Sequence, residues 1–309
     1  MKSRSILVSI INLGSIIVLF LSCILLAWIY LGHHYRPTFA EQFKTFHDGV
    51  NLFEAPEGFP ENRDENLDKF DHKLYESVRS IDEAIVYLKE NYPLNNEKDA
   101  LFAVFDFTSK RFIHHMYPIH TWKTNPFYVL FEMYDPLNSF NEMSTANELL
   151  RHSAIAGCGD TSVTAITLFR KLGYQAQYVS LNGHHVAEFK VGETKWLVDA
   201  DMEVISPHSI DHIRNNLDLI HEIYAKHPES RQNTMKKIFA RKGMRKNGYE
   251  GAPRYGDYMW NLHKQVEILK WIIPITGIIF SLLAILLTRK RPFHNQYFQR
   301  ALVKLRSSS

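Results

Sequence analysis

Cys158, the histidine pair His184-His185 and Asp199 are residue types that together can run nucleophilic catalysis. A thiol attacks as thiolate, so it needs a base to take its proton. An imidazole base in turn needs a third group to hold its tautomer. Cys158 follows Gly157 and precedes Gly159-Asp160-Thr161. Val163, Ile166, Phe169 and Leu172 then recur at helical spacing until Gly173. This pattern predicts that Cys158 opens a helix, where unpaired backbone N–H groups and the positive end of the helix dipole favour thiolate over thiol. A cysteine without partners is more often a buried structural thiol, so the residues beside it decide between the two fates.

After this helix the period changes from helical to strand-like. Residues 174–181, 184–191 and 195–200 are short runs rich in Tyr, Val, Phe and Trp, separated by Asn182-Gly183 and Gly192-Glu193. Three strands in sequence with tight turns imply an antiparallel meander, and a helix followed by a meander is an α+β core. Successive side chains on a strand point to opposite faces, so only one of His184 and His185 can share a face with Asp199. Gly192 at the first central position suits a two-residue type II′ turn. That turn would pair Val191 with Thr194, Val186 with Asp199 and His184 with Asp201. His184 and Asp199 then lie diagonally on one face, and His185 falls on the other, opposite Ala200. A bulge near Trp196 would reverse the parity and leave His185 as the base.

These residues resemble the transglutaminase-like superfamily, in its membrane-anchored bacterial form. The motifs are Gly157-Cys158-Gly159-Asp160, His184-His185-Val186-Ala187-Glu188, and Lys195-Trp196-Leu197-Val198-Asp199-Ala200-Asp201, with Phe169-Arg170-Lys171-Leu172-Gly173-Tyr174-Gln175-Ala176 between the first two. The resemblance covers residues 148–202. It implies a rearranged papain-like fold, a Cys-bearing helix packed on an antiparallel sheet, with Cys158 as nucleophile, His184 as base and Asp199 as its orienting group. Trp196 stands one residue closer to the aspartate than the family pattern has it, which keeps Asp201 open as the orienting residue. Trp122 is a candidate counterpart of the family's oxyanion tryptophan. The implied chemistry is acyl transfer from an amide or ester in a peptide or protein substrate through a thioester, ending on water or an amine. No cofactor is expected, and no acidic loop of EF-hand spacing suggests calcium.

The elements around this core must position it. Residues 144–152 read as a short helix leading into the cysteine, with Ser144 or Thr145 as cap and Glu148 behind. Upstream, residues 73–90 and 99–116 carry helical patterns, and residues 53–72 read as a polar loop. Residues 127–134 form another apolar stretch. Downstream, residues 208–226 read as a helix and 236–254 as a basic, solvated loop.

Two uncharged runs, residues 6–31 and 271–288, are long enough to cross a bilayer. Cys23 lies within the first, and the apolar run continues past it, which argues against lipidation there. The expected organisation is a short tail and first transmembrane helix over 1–32, an extracytoplasmic domain over 33–268, a second transmembrane helix over 269–288 and a basic tail over 289–309. Lys2 and Arg4 before the first run, and Arg289, Lys290, Arg291, Arg300, Lys304 and Arg306 after the second, predict that both termini are cytoplasmic and the domain periplasmic.

Composition narrows the function classes. The chain of 309 residues is 45% hydrophobic and 22% charged with a formal net charge of +3, which fits a folded domain with membrane segments and gives no basis for nucleic-acid binding. Two distant cysteines form no disulfide framework, and the sixteen histidines are scattered without His-Glu-x-x-His, so no metal site is expected. The rival to an enzyme is a non-catalytic module of the same fold, serving as a binding or assembly platform in a cell-envelope complex, for instance one handling polysaccharide.

Overall fold

In the computed structural model, residues 2–35, 69–114, 125–127, 145–253 and 257–289 are described. The elements are α1 (Lys2–His34), α2 (His72–Ser77), α3 (Ile81–Asn91), α4 (Glu97–Arg111), β1 (Ile113–His114), α5 (Ala146–His152), β2 (Ile155–Ala156) and α6 (Cys158–Lys171). They continue as β3 (Ala176–Ser180), β4 (His185–Val191), β5 (Thr194–Asp199), β6 (Val204–Ser206), α7 (Ile210–Asn215), α8 (Leu219–Ile223), α9 (Glu229–Ala240), β7 (Arg245–Lys246) and α10 (Asp257–Arg289). The architecture is α+β. The chain divides into one unit of residues 1–35, 121–136 and 265–309, and a second of residues 36–120 and 137–264.

The second unit is built on a five-stranded antiparallel sheet of order β6-β5-β4-β3-β7. Strand alternation gives it two faces with different partners. Ala176, Tyr178, Ala187, Phe189 and Val198 pack against Val163, Ile166 and Phe169 of α6. Phe169 stacks on Phe189 with centroids 4.2 Å apart. The other face turns Val179, Val186, Leu197 and Val204 toward Ile210, Ile213, Ile220, Tyr224, Met235 and Phe239. Each such aliphatic or aromatic side chain withdrawn from water contributes about 1.5–3 kcal/mol, so both layers hold the sheet.

The meander over residues 174–200 has the expected turns. Leu181 N donates to His184 O across Asn182-Gly183 (2.8 Å), whose φ values are 57° and 130°. A side chain at Gly183 would also collide with Arg241 Nη1, 2.6 Å from an ideal Cβ. Val191 pairs with Thr194, and Gly192 carries a positive φ of 57°.

Elsewhere the expected elements needed revision. The helix expected over 73–90 is two helices. Val78 and Ser80 are extended, and the Ser80 hydroxyl restarts the chain by capping Glu83 N at 3.2 Å. The helix expected over 99–116 starts at Glu97, under an Asn96 cap, and stops at Arg111. Phe112 is extended, and Ile113-His114 instead pairs in parallel with Ile155-Ala156. The stretch 208–226 breaks into α7 and α8 around Asn216. Residues 236–254 are not simply a loop, since they complete α9 and supply β7, paired with Val179 and Ser180. Short-range periodicity could not show these pairings because their partners are remote in sequence. Most of the loop expected over 53–72, the apolar stretch after residue 127, Trp122 and the tail beyond residue 289 lie outside the described residues.

The first unit contains α1 and the later part of α10, two helices long and apolar enough to cross a membrane. Ile6, Leu13, Phe20 and Leu31 on α1, and Phe280 and Leu287 on α10, are more than half exposed. Contiguous exposure of that kind is costly in water and not in lipid. The helices meet where Gly277 leaves room for Ser22, whose Oγ would lie 2.3 Å from a Cβ at that position. The Thr288 hydroxyl donates to Asn12 Oδ1 at 2.5 Å. Close approach over small residues with a polar clasp is how helices associate in lipid.

One buried cation ties the approach to Cys158 together. Arg111 is fully buried and donates to Ser153 O (2.9 Å), Leu150 O (2.5 Å) and Val78 O (3.3 Å). Its guanidinium also lies over the rings of Tyr75 and Phe112. It thereby satisfies carbonyls at the end of α5, just before β2 and Cys158. Arg111→Leu should leave these acceptors unpaired and lower stability by roughly 3 kcal/mol or more, read as a fall in the urea midpoint.

Candidate active site

Short-range features of the chain position the candidate residues. Gly157, extended at φ −87° and ψ −178°, carries no side-chain cap, and Cys158 begins α6 directly after β2. The first N–H groups of that helix therefore lack intrahelical acceptors. Gly159 follows because the Tyr178 hydroxyl would lie 3.2 Å from any Cβ there. His184 stands just after the Asn182-Gly183 turn, before β4 begins, and Asp199 ends β5.

Asp199 is fully buried and well satisfied. Its Oδ2 lies 2.8 Å from His184 Nε2 and accepts from the Tyr224 hydroxyl at 2.8 Å. Its Oδ1 accepts from Met202 N at 3.1 Å. Burial pushes the carboxyl's pKa up, but His184, Tyr224 and the Met202 N–H outweigh it and hold Asp199 below the usual 3.8. Burial likewise opposes a charge on His184, yet the Asp199 carboxylate and the neighbouring Cys158 side chain raise the imidazole well above 6.5. Tyr224, buried and beside the carboxylate, is held well above 10, which keeps its proton on as a donor.

His184 therefore faces Asp199, at the end of β5, through Nε2 and lies within 4.8 Å of the thiol at the start of α6. Asp201 occupies a different place. A carboxylate oxygen of Asp201, a ring nitrogen of His184 and Cys158 Sγ lie within 4.8 Å of one another, and Asp201 is half-buried. The two aspartates left open by the sequence thus divide the surroundings of the ring: Asp199 bonds it, and Asp201 sits near the thiol. His185 points elsewhere. Its ring stacks on Tyr178 (5.3 Å between centroids), and its carbonyl accepts from Ser162 Oγ at 3.2 Å.

Tyr224 carries no sequence signal. It is a single tyrosine after a five-residue helix, separated from Asp199 by 25 positions. Glu188, the last residue of the His-x-x-x-Glu motif, is also fully buried. It accepts from Gln177 Nε2 (2.5 Å) and Ile210 N (3.0 Å), so it links β3, β4 and the start of α7. No family model matches the chain, and neither a curated protein nor a solved structure matches it.

The electrostatics give the pair a signed pH dependence. The raised pKa of His184 means that its stabilising contribution is complete below 6.5 and is lost as pH rises through the raised value. The lowered pKa of Asp199 means that its contribution is complete above 3.8 and is lost as pH falls through the lowered value. Both are present between those limits. The difference in urea midpoint between the protein and Asp199→Asn should therefore be widest near about pH 5 and shrink on moving toward strong acid or alkali.

Proposed function

We propose that this chain is a membrane-anchored, transglutaminase-like cysteine enzyme in which Cys158, His184 and Asp199 carry acyl transfer. The observation that carries the reading is the placement of His184 between a buried, ionised Asp199 at 2.8 Å and the thiol of Cys158 at a helix start. In the first half-reaction the Cys158 thiolate attacks the carbonyl carbon of an amide or ester. The oxyanion that forms is stabilised by backbone N–H groups at the start of α6, that of Cys158 first. Protonated His184 then gives its proton to the leaving amine or alcohol as the carbon–heteroatom bond breaks, leaving a thioester. In the second half-reaction neutral His184 takes a proton from water or an amine, which attacks the thioester and releases Cys158. Asp199 holds the tautomer and offsets the imidazolium charge, and Tyr224 and Met202 N hold Asp199.

The substrate of this reading is a peptide or protein outside the cytoplasm, with both termini of the chain cytoplasmic and two helices in the inner membrane. The competing reading is a binding or assembly platform in an envelope complex. It differs in one respect that can be tested: a platform keeps its cellular role when the sulfur is removed.

Incubating the full chain in detergent with a peptide library should give a Cys158-linked acyl adduct that hydroxylamine releases. Cys158→Ala should abolish it, and survival of the cellular phenotype in that variant would favour the platform. His184→Ala should slow iodoacetamide labelling of Cys158 and acylation by roughly 10²–10⁴-fold. Asp199→Asn should be intermediate, and His185→Ala should stay within a few-fold of the parent. If His185→Ala proves the more damaging of the two histidine changes, the assignment of the base is wrong.

Protease added to spheroplasts should digest the domain and spare both tails. Digested tails with a protected domain would reverse the topology.

A further inference from the structure

We propose that Cys158, His184 and Asp201 also form a binding site for Zn²⁺, and that occupancy of this site switches the thiol off. The inference deepens the enzyme reading, because it assigns a regulatory ion to the same reacting groups.

Three kinds of donor converge here: a thiol sulfur, an imidazole nitrogen and a carboxylate oxygen, all within 4.8 Å of one another. Zinc at its ordinary bond lengths of about 2.0–2.3 Å places tetrahedral ligands roughly 3.3–3.8 Å apart. The span is therefore closed by small rotations of the two half-buried side chains, Cys158 and Asp201. The mixed donor set selects the ion. Sulfur with imidazole suits zinc, whereas calcium and magnesium want oxygen alone. Three protein donors leave a fourth position for water.

The second observation lies behind the ring. A metal-bound histidine ordinarily presents its other nitrogen to a carboxylate, which fixes the ring's orientation and strengthens it as a ligand. His184 already has that support, since Asp199 holds Nε2 at 2.8 Å and is itself held by Tyr224 and Met202 N. The nitrogen left for the metal is Nδ1, since Nε2 is held by Asp199. The same preorganisation that makes His184 a base thus makes it a ligand.

Binding balances simply. Zn²⁺ joins thiolate, neutral imidazole and carboxylate, and the proton shared by Cys158 and His184 goes to solvent. No bond to carbon forms, and chelation restores the thiol–imidazole pair. Asp201 has a role here that Asp199 cannot take, because Asp199 lies behind the ring.

The test uses the full chain in detergent, stripped with a chelator, with Zn²⁺ alone and then Co²⁺ as probes. Dialysis against micromolar Zn²⁺ should leave one ion per chain. Co²⁺ should give thiolate-to-metal charge-transfer absorption. Zn²⁺ should slow iodoacetamide labelling of Cys158 at least tenfold, and chelator should reverse this. Cys158→Ala should abolish the cobalt band, and Asp201→Asn should weaken Zn²⁺ protection at least tenfold, while Asp211→Asn, remote and exposed, should not. Absence of the cobalt band, or zinc retained undiminished in both Cys158→Ala and Asp201→Asn, would overturn the site. The two readings fail separately. If Cys158 labels readily in the native protein and Zn²⁺ does not protect it, the zinc site falls and the enzyme stands. If Cys158 of the stripped protein labels only after denaturation while the cobalt band persists, the enzyme reading falls and the switch with it, and only metal binding remains.

Discussion

Everything about the candidate site depends on keeping Asp199 ionised while fully buried. An isolated carboxylate taken out of water would sooner take up a proton than keep its charge. Asp199 avoids this because three donors reach it: His184 Nε2, the Tyr224 hydroxyl and Met202 N. Each comes from a different place in the fold, a turn, the end of a short helix and the loop after β5. The charge is therefore held by tertiary structure. Removing one donor leaves the remaining pair to carry a buried charge, which is strongly destabilising.

The sheet makes this possible by separating two tasks on its two faces. One face is apolar and receives α6, so the helix bearing Cys158 is held by Val163, Ile166 and Phe169. The other face carries His184, Glu188 and Asp199 by parity, together with Val179, Val186 and Leu197, and is covered by α7 to α9. The thiol comes from the layer on one side and the carboxylate from the strand residues facing the other. They meet only through the imidazole, which stands at the end of the sheet where the Asn182-Gly183 turn releases it from the strand. An imidazole buried mid-strand on either face would reach one partner and not both.

Much of this was legible from sequence because it rests on local rules. The period-two pattern, the two turns and the glycine before Cys158 are short-range signals, and the pairing of Val191 with Thr194 follows from the turn at Gly192-Glu193. Parity then put His184, and not His185, on the face of Asp199 provided no bulge interrupts β5 near Trp196, and the register runs without one. What was not legible is non-local. The breaks at Val78 and Asn216 are preferences overridden by packing and by caps. β1 exists only because Ile155-Ala156 lies beside it, and β7 only because Val179 and Ser180 offer an open edge. Tyr224 could not be found at all: nothing in a lone tyrosine says that its hydroxyl reaches a carboxylate 25 residues away. The choice between Asp199 and Asp201 was similarly open, because Trp196 stands one residue out of the expected spacing, and the coordinates place Asp199, not Asp201, on His184 Nε2.

Glu188 shows why residue type and face do not by themselves make a reactive group. It lies on the same face as Asp199, is as deeply buried and belongs to the motif that includes His184. Its partners differ. Gln177 Nε2, Ile210 N and the Tyr249 hydroxyl (3.3 Å) donate to it, and Lys246 Nζ lies 3.8 Å away. Those partners are an amide, a backbone N–H, a phenol and an amine, so the Glu188 side chain holds neighbouring segments in place. Through them it fixes β3 to β4 and anchors the start of α7, which leads into α8 and on to Tyr224. Asp199 has instead an imidazole, whose proton can move. The buried carboxylate at the motif's end thus stabilises the layer that supplies Tyr224 to Asp199, and the two carboxylates differ in that only Asp199 faces a histidine.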